Sequence, residues 1–386
     1  MKSIRRLAIT LAAPTLLPAS AWALEPQSVD VFGLQFTPTL AVKESYDDNF
    51  RELEHQKESS WITSITPTFE LLAEDRNSAY RATYEANSDI YHDASDASNT
   101  DHKVLLESIM EFTSSHRLKM EAGYNKIEET ADTAVEQEND KYHSTHVGGV
   151  YSIGSAKANN RLDFGANYEE LRYDNSGDIN ADEERDTTAL NAIWFHRLGG
   201  ATNSLVEVRH SKYDYVLKDS PRNSTTDAVL VGGTWDATAK TTGKLRVGYA
   251  KKDFDDNSRD DLSSPMWEVG VDWLPLTYSK FSLTTTRAFD EGDDGSDAIK
   301  NTSTSLAWAH GWTERVTSTV KYEFGTKDYE GQDRSDDLSS IGLSLSYKMR
   351  RWLDIGVGYT YREDDSSAAE QSFKRNIYMI SLTGSL

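Results

Sequence analysis

Apolar and polar residues alternate through about eighteen short segments between residues 32 and 386. This rhythm predicts an all-β chain folded as a transmembrane, antiparallel, up-and-down β-barrel. Two further observations carry the same prediction. The segments are joined alternately by tight turns and by long acidic loops, and the pattern runs to the last residue, Leu386. A closed barrel is also one of only two structures that satisfy every backbone hydrogen bond inside lipid.

The first element is not part of the barrel. Met1-Lys2-Ser3-Ile4-Arg5-Arg6 is followed by an apolar run from Leu7 to Leu17 and then Ala21-Trp22-Ala23. A basic start, a short apolar core and small residues at a cleavage point read as a secretory signal peptide over residues 1–23. Pro14 and Pro18 interrupt a run already shorter than the roughly 20 residues a membrane helix needs. Residues 24–33 then form a short periplasmic segment, and 34–386 the barrel.

Strands are expected near 34–45, 59–72, 77–90, 102–113, 116–128, 141–153, 160–173, 186–196 and 203–216. The remainder fall near 224–236, 242–254, 264–274, 277–289, 300–311, 314–327, 338–349, 351–363 and 374–386. Segment 351–363 shows the pattern most clearly. Leu353, Ile355, Val357, Tyr359 and Tyr361 share one face, and Asp354, Gly356, Gly358, Thr360 and Arg362 the other. Segment 264–274 sets Trp267, Val269, Val271 and Trp273 against Glu268, Gly270 and Asp272. Segment 314–327 sets Val316, Val320, Tyr322 and Phe324 against Arg315, Thr317, Thr319, Lys321 and Glu323. One face suits lipid and the other water.

Short turns are expected at Ala73–Asn77, Thr113–His116, Gly154–Asn159, Leu198–Thr202, Asp236–Thr241, Leu274–Thr277, His310–Thr313 and Met349–Arg351. Between them lie Glu128–Asp140, Asp174–Asp186, Asp253–Asp261, Asp290–Asp297, Asp328–Asp337 and Glu363–Glu370, which hold most of the excess acid. Bacterial barrels have short periplasmic turns and long extracellular loops. The acidic loops are therefore expected outside, and an even strand count puts both termini in the periplasm. A soluble β-sandwich also alternates, but its connectors would not sort into two classes, and its apolar face would need a second sheet.

Composition removes other classes. With no cysteine, disulfides and thiolate metal sites are excluded. A net charge of −22 argues against nucleic acid, whose phosphates need clustered Lys and Arg. The low mean hydropathy does not exclude a barrel, in which only alternate strand residues face lipid. The 19 Tyr, 12 Phe and 9 Trp supply the aromatics that favour membrane interfaces. Residues 24–33 are too few for a plug, and there is no passenger region.

No catalytic cluster stands out by spacing, so an enzyme is not expected, nor is a cofactor or a metal site. His143 and His146, three apart on a strand, point to opposite faces and cannot chelate one ion. The acidic run from Asp290 to Asp297 could bind a hard cation, but it lacks a helical-hand spacing and reads as a solvated loop kept extended by like charges. The candidate lumen-lining residues are Arg81, Glu85, Glu107, Glu121, Asp163, Glu207, Arg209, Arg246, Glu268, Asp272, Lys321, Glu323, Asp354 and Arg362. Charges there must meet water or one another; ladders that stiffen the wall and a selectivity ring are both open. Inward glycines, among them Gly232, Gly248, Gly342 and Gly358, either keep a bore open or let the strands curve. At the C-terminus, Tyr378, Ile380, Leu382 and Leu386 share one parity. They resemble the terminal signal read by the barrel-assembly machinery, with Leu386 where an aromatic is usual.

Phe36-Thr37-Pro38-Thr39-Leu40, Tyr46-Asp47-Asp48-Asn49-Phe50 and Trp61-Ile62-Thr63-Ser64-Ile65-Thr66-Pro67-Thr68-Phe69 resemble the β-barrel porin type 2 family of Gram-negative outer-membrane proteins. The likeness covers essentially the chain after the signal. It implies an outer-membrane conduit for exopolysaccharide or capsular polysaccharide, working with a periplasmic polysaccharide-export protein. A general or ion-selective diffusion porin and a structural or surface-binding barrel are the alternatives. The acidic mouth disfavours strongly anionic polymers unless cations screen it, which favours a neutral or cation-associated glycan. Outer-membrane lipid and lipopolysaccharide are the expected surroundings.

Overall fold

Alternation with β-branched and aromatic residues on one face makes each segment a strand that can present apolar side chains to hydrocarbon. In the computed structural model every such segment pairs with its neighbours. The structure describes residues 28–130, 139–155, 157–175, 180–238, 240–292 and 295–385; the signal peptide expected over residues 1–23, and Leu386, lie outside them. A short strand β1 (Val29–Val31) folds back on β2 (Leu34–Asp47) through Phe32-Gly33. The ring continues through β3 (Ser60–Glu74), β4 (Ser78–Tyr91), β5 (Asn99–Thr113), β6 (His116–Glu129), β7 (Asp140–Ile153) and β8 (Asn160–Tyr173). Next come β9 (Arg185–Gly199), β10 (Thr202–Tyr215), β11 (Ser224–Thr238), β12 (Thr241–Phe254) and β13 (Leu262–Leu276). Last are β14 (Ser279–Glu291), β15 (Ala298–Gly311), β16 (Val316–Glu330), β17 (Arg334–Arg350), β18 (Leu353–Ser366) and β19 (Phe373–Ser385).

Each strand from β2 to β19 is antiparallel to the next, and β19 pairs with β2 from Ile377↔Asp47 to Ser385↔Thr39. The result is a closed barrel of eighteen strands, with β1 as an added flap. Strands of about 14 residues, at roughly 3.4 Å per residue and a tilt near 45°, cross a hydrocarbon layer with length to spare.

The outer face is set by one parity throughout. Val206, Val208, Val229, Val231, Leu245 and Val247 form a continuous exposed band across β10–β12. Tyr378, Ile380 and Leu382 continue it on β19, each about half exposed. Aromatics gather near both rims: Phe112, Tyr278, Trp312 and Trp352 by the turns, Trp61, Tyr124, Tyr168 and Tyr249 towards the loops. At the turn rim, the His310 ring lies 4.5 Å from that of Trp312 and 5.4 Å from those of Tyr278 and Trp308.

Two predicted loops are shorter than expected. The stretch Asp328–Asp337 is largely strand, because β16 runs to Glu330 and β17 starts at Arg334. The cause is a pairing that acidity hid: Arg334 lies 4.1 Å over the Tyr329 ring and pairs with buried Asp336 at 2.7 Å, leaving only residues 331–333 to turn. Likewise β18 extends through Glu363 to Ser366. Three turns sit later than expected, at 277–278, 312–315 and 351–352. Pro275 resembles a turn residue but lies within β13, where the ladder to β14 shifts between Trp273 and Leu276. Proline lacks the N–H that ladder would need.

Candidate functional site

On each strand, the parity opposite the exposed apolar band faces the barrel interior, and the charged candidates fall on it. The structure groups most of them into separate ion-paired sets. The largest comprises Glu207 and Arg209 of β10, Arg246 of β12 and Glu268 of β13. Arg209 donates to Glu207 at 2.7 Å and to Glu268 at 2.6 Å; Arg246 reaches Glu268 at 3.1 Å and Glu207 at 3.3 Å. These four contacts close a cycle of alternating charge, with Glu207 only 2% exposed. The side chains span β11 beside Leu230 and Gly232, the register partners of Glu207 and Arg246.

Elsewhere, Arg81 lies between Glu107 at 3.5 Å and Glu70 at 3.6 Å. Glu121 stands directly opposite Glu107, and Glu85 opposite Lys103. Asp163 pairs with Arg161 at 3.1 Å, whose guanidinium covers the Phe195 ring at 4.1 Å. Asp272 takes Lys280 at 3.1 Å and the Ser282 hydroxyl at 2.6 Å. Lys321 pairs with Glu323 at 2.7 Å, and buried Asp354 faces Lys348 in register. Arg362 meets Glu52, from the first loop, at 2.7 Å. The ladder alternative therefore describes most of these residues better than a ring of free charges.

The inner wall is not uniformly polar. Ile193, Phe195 and Leu205 cluster on β9–β10, and Ala228, Leu230 and Ala250 on β11–β12, with Met266 and Phe289 against the latter. Nor do the inward glycines simply widen the interior. Asn191 covers Gly165 and Met379 covers Gly358, so a neighbouring side chain takes much of that space.

Sequence reasoning missed the loop rim. Lys252, with no exposure, donates to Glu291 at 2.5 Å and lies 4.3 Å from the Tyr213 ring centre. Tyr215 donates to the same Glu291 at 2.8 Å. Above them, Arg222 from connection 216–223 is 4% exposed and donates to the Asp182 carbonyl at 3.2 Å, the Asp182 carboxylate at 3.4 Å and the Ser296 carbonyl at 3.2 Å. Arg259 pairs with Asp297, and burial beside Arg222 lowers its hold on its proton. Asp256, held by the Ser258 N–H and hydroxyl, has its carboxyl below the usual range. The run Asp290–Asp297 is thus not a freely solvated loop: Glu291 and Asp297 are engaged, while residues 293–294 lie outside those described. The alternation signal extended to Lys252, which shares parity with Arg246 and Gly248; the loop arginines left no periodic trace.

Arg222→Ala removes the only side chain the structure shows joining connections 174–184, 216–223 and 292–297 among the described residues. Losing charge-assisted bonds worth about 2 kcal/mol of local closure predicts a roughly 30-fold faster trypsin cut at Lys218 or Arg259. Limited proteolysis of the folded barrel measures this, and the unfolding midpoint should barely move.

A closed antiparallel barrel with an apolar exterior and a charged interior defines an outer-membrane channel-type protein. Residues 32–386 match the family model described as "Putative beta-barrel porin 2", and the chain belongs to that family. Among solved structures it is similar to OpdK of Pseudomonas aeruginosa with vanillate (10% identity, TM-score 0.50, 91% of this chain and 99% of that one). It is also similar to OccK2 (OpdF) of the same organism (10%, 0.50, 92% and 98%). The apoprotein of the FrpB iron transporter of Neisseria meningitidis, F5-1 variant, is a third (13%, 0.51, 88% and 62%). At these identities the likeness shows the fold alone. No curated protein matches the sequence.

Proposed function

We propose that this barrel is a non-enzymatic pore taking part in export of exopolysaccharide or capsular polysaccharide across the outer membrane. The observation that carries the reading is the interior wall. Charges of both signs neutralise one another in place, as in the cycle of Glu207, Arg209, Glu268 and Arg246. A hydrated sugar chain needs such a surface: polar contacts throughout, and no deep electrostatic well to hold it. The motifs Phe36–Leu40, Tyr46–Phe50 and Trp61–Phe69 support the same class.

In this reading the candidate lumen residues line the bore, and the turns and both termini face the periplasm. The long connections meet lipopolysaccharide outside. Lipid surrounds the band, the barrel-assembly machinery inserts the chain, and a periplasmic polysaccharide-export protein delivers the cargo at the turn rim. A general or ion-selective diffusion porin is the second reading, favoured by the family's description as a porin.

A clean deletion strain, with complementation by the intact protein, separates them. Under the export reading, secreted polysaccharide falls, periplasmic sugar accumulates, and complementation restores both. Unchanged pools would overturn export and leave the diffusion porin, for which planar-bilayer conductance is the direct measurement.

A further inference from the structure

Arg362 of β18 and Arg375 of β19 are direct register partners on the inward parity, opposite the exposed Val357, Tyr378 and Ile380. Like charges directly opposite on neighbouring strands repel. Here both guanidiniums donate Nη1 to the same oxygen, Oε1 of Glu52, at 2.7 Å each. Glu52 belongs to no strand. It is carried on connection 48–59 with φ +54°, in the left-handed region that non-glycine residues rarely adopt.

That backbone is held by the segment singled out in the sequence. Asn376 donates its backbone N–H and its Nδ2 to the Asp48 carboxylate at 2.7 Å each. Asn49 Nδ2 donates to the Leu53 carbonyl at 2.8 Å and the Lys374 carbonyl at 3.1 Å. Phe50 is buried among Ile62, Tyr91 and Ala97. The loop therefore presses one carboxylate onto two arginines. The arginines differ: Arg375 is also held by buried Asp47 at 2.7 Å, whereas the Arg362 side chain is 39% exposed.

We propose that the Arg362–Arg375 pair is a carboxylate-binding site at the mouth, and that Glu52 occupies it in place of the carboxylate of an acidic sugar in the cargo. The inference rests on the export reading and deepens it by naming the group recognised. Forked N–H donors from two adjacent guanidiniums fit a planar carboxylate. An acidic glycan that travels with its cations would pass the acidic loops and still present carboxylates to this pair.

The test uses the full-length protein folded in detergent, with titration calorimetry against oligogalacturonate and, in parallel, neutral malto-oligosaccharide. Removing an internal competitor raises apparent affinity by the reciprocal of the fraction of sites it had left free, about tenfold where roughly nine-tenths were filled. Glu52→Gln should therefore bind oligogalacturonate about tenfold more tightly than the unmodified protein, with no change for the neutral oligomer. Adding Arg362→Gln should abolish the gain. Equal affinity in Glu52→Gln and the unmodified protein, or an equal gain for the neutral oligomer, overturns the proposal. If Glu52→Gln does not fold, Glu52→Asp carries the same expectation, since the shorter side chain cannot reach both guanidiniums. Bilayer conductance separates the two readings. Tighter uronate binding without conductance keeps the site and removes the pore; conductance without tighter binding keeps the pore and removes the site.

Discussion

Glu207→Ala should destabilise the barrel by about 3–5 kcal/mol, the cost of removing one partner from a buried, hydrogen-bonded charge set. Glu207 is almost fully buried, accepts from Arg209 and lies 3.3 Å from the Arg246 guanidinium. Without it, two guanidiniums share only Glu268, and each has lost a partner that replaced its hydration. Glu207→Gln, which keeps volume and one acceptor, should lose less. Arg209→Met combined with Glu207→Met should lose less again, because the charges leave together. Tryptophan-monitored unfolding in detergent reads all three, and a loss below about 1 kcal/mol for Glu207→Ala, typical of an exposed pair, would sink the closed-cycle account. The same variant removes one negative charge from the interior, so any conductance should also shift towards anions.

The eighteen strands were legible because lipid imposes one rule on every strand, and period-two alternation records it. Where the placements slipped, the local chemistry misled: Pro275 looked like a turn, and Asp328–Asp337 looked like a loop until Arg334 and Asp336 were seen inside the barrel. The interior was half legible. Parity assigned Glu207, Arg246 and Glu268 to one face, but their meeting across β11 depends on register, which a single strand does not encode. The mouth was least legible. Asp47-Asp48-Asn49 is turn-forming chemistry at a strand end, yet its partners Lys374, Arg375 and Asn376 lie at the far end of the chain. Only closure of the barrel brings them together. Glu52, on connection 48–59, lies outside the strands whose alternation carries the signal.

Gly232→Ala should be among the most damaging one-carbon changes in the barrel wall, because what stands in its way is backbone. A Cβ at Gly232 would fall on the Leu245 carbonyl oxygen and within 2.9 Å of the Arg246 Cα. Arg246 is the register partner of Gly232, so the clash cannot be relieved by turning a side chain. Either the β11–β12 ladder opens or Arg246 moves out of its contacts with Glu207 and Glu268. Overpacking of this kind costs about 1–3 kcal/mol, and more where neither side yields. Gly342 is the control. It shares the inward parity, but its added Cβ would meet nothing closer than the Lys321 Cβ at 3.9 Å. Gly342→Ala should therefore be neutral or gain up to about 1 kcal/mol through reduced unfolded-state entropy. Heat-modifiable gel migration and the unfolding midpoint distinguish the pair. If both substitutions behave alike, the close approach of β11 and β12 is not what glycine at 232 provides, and strand curvature becomes the better reason for it.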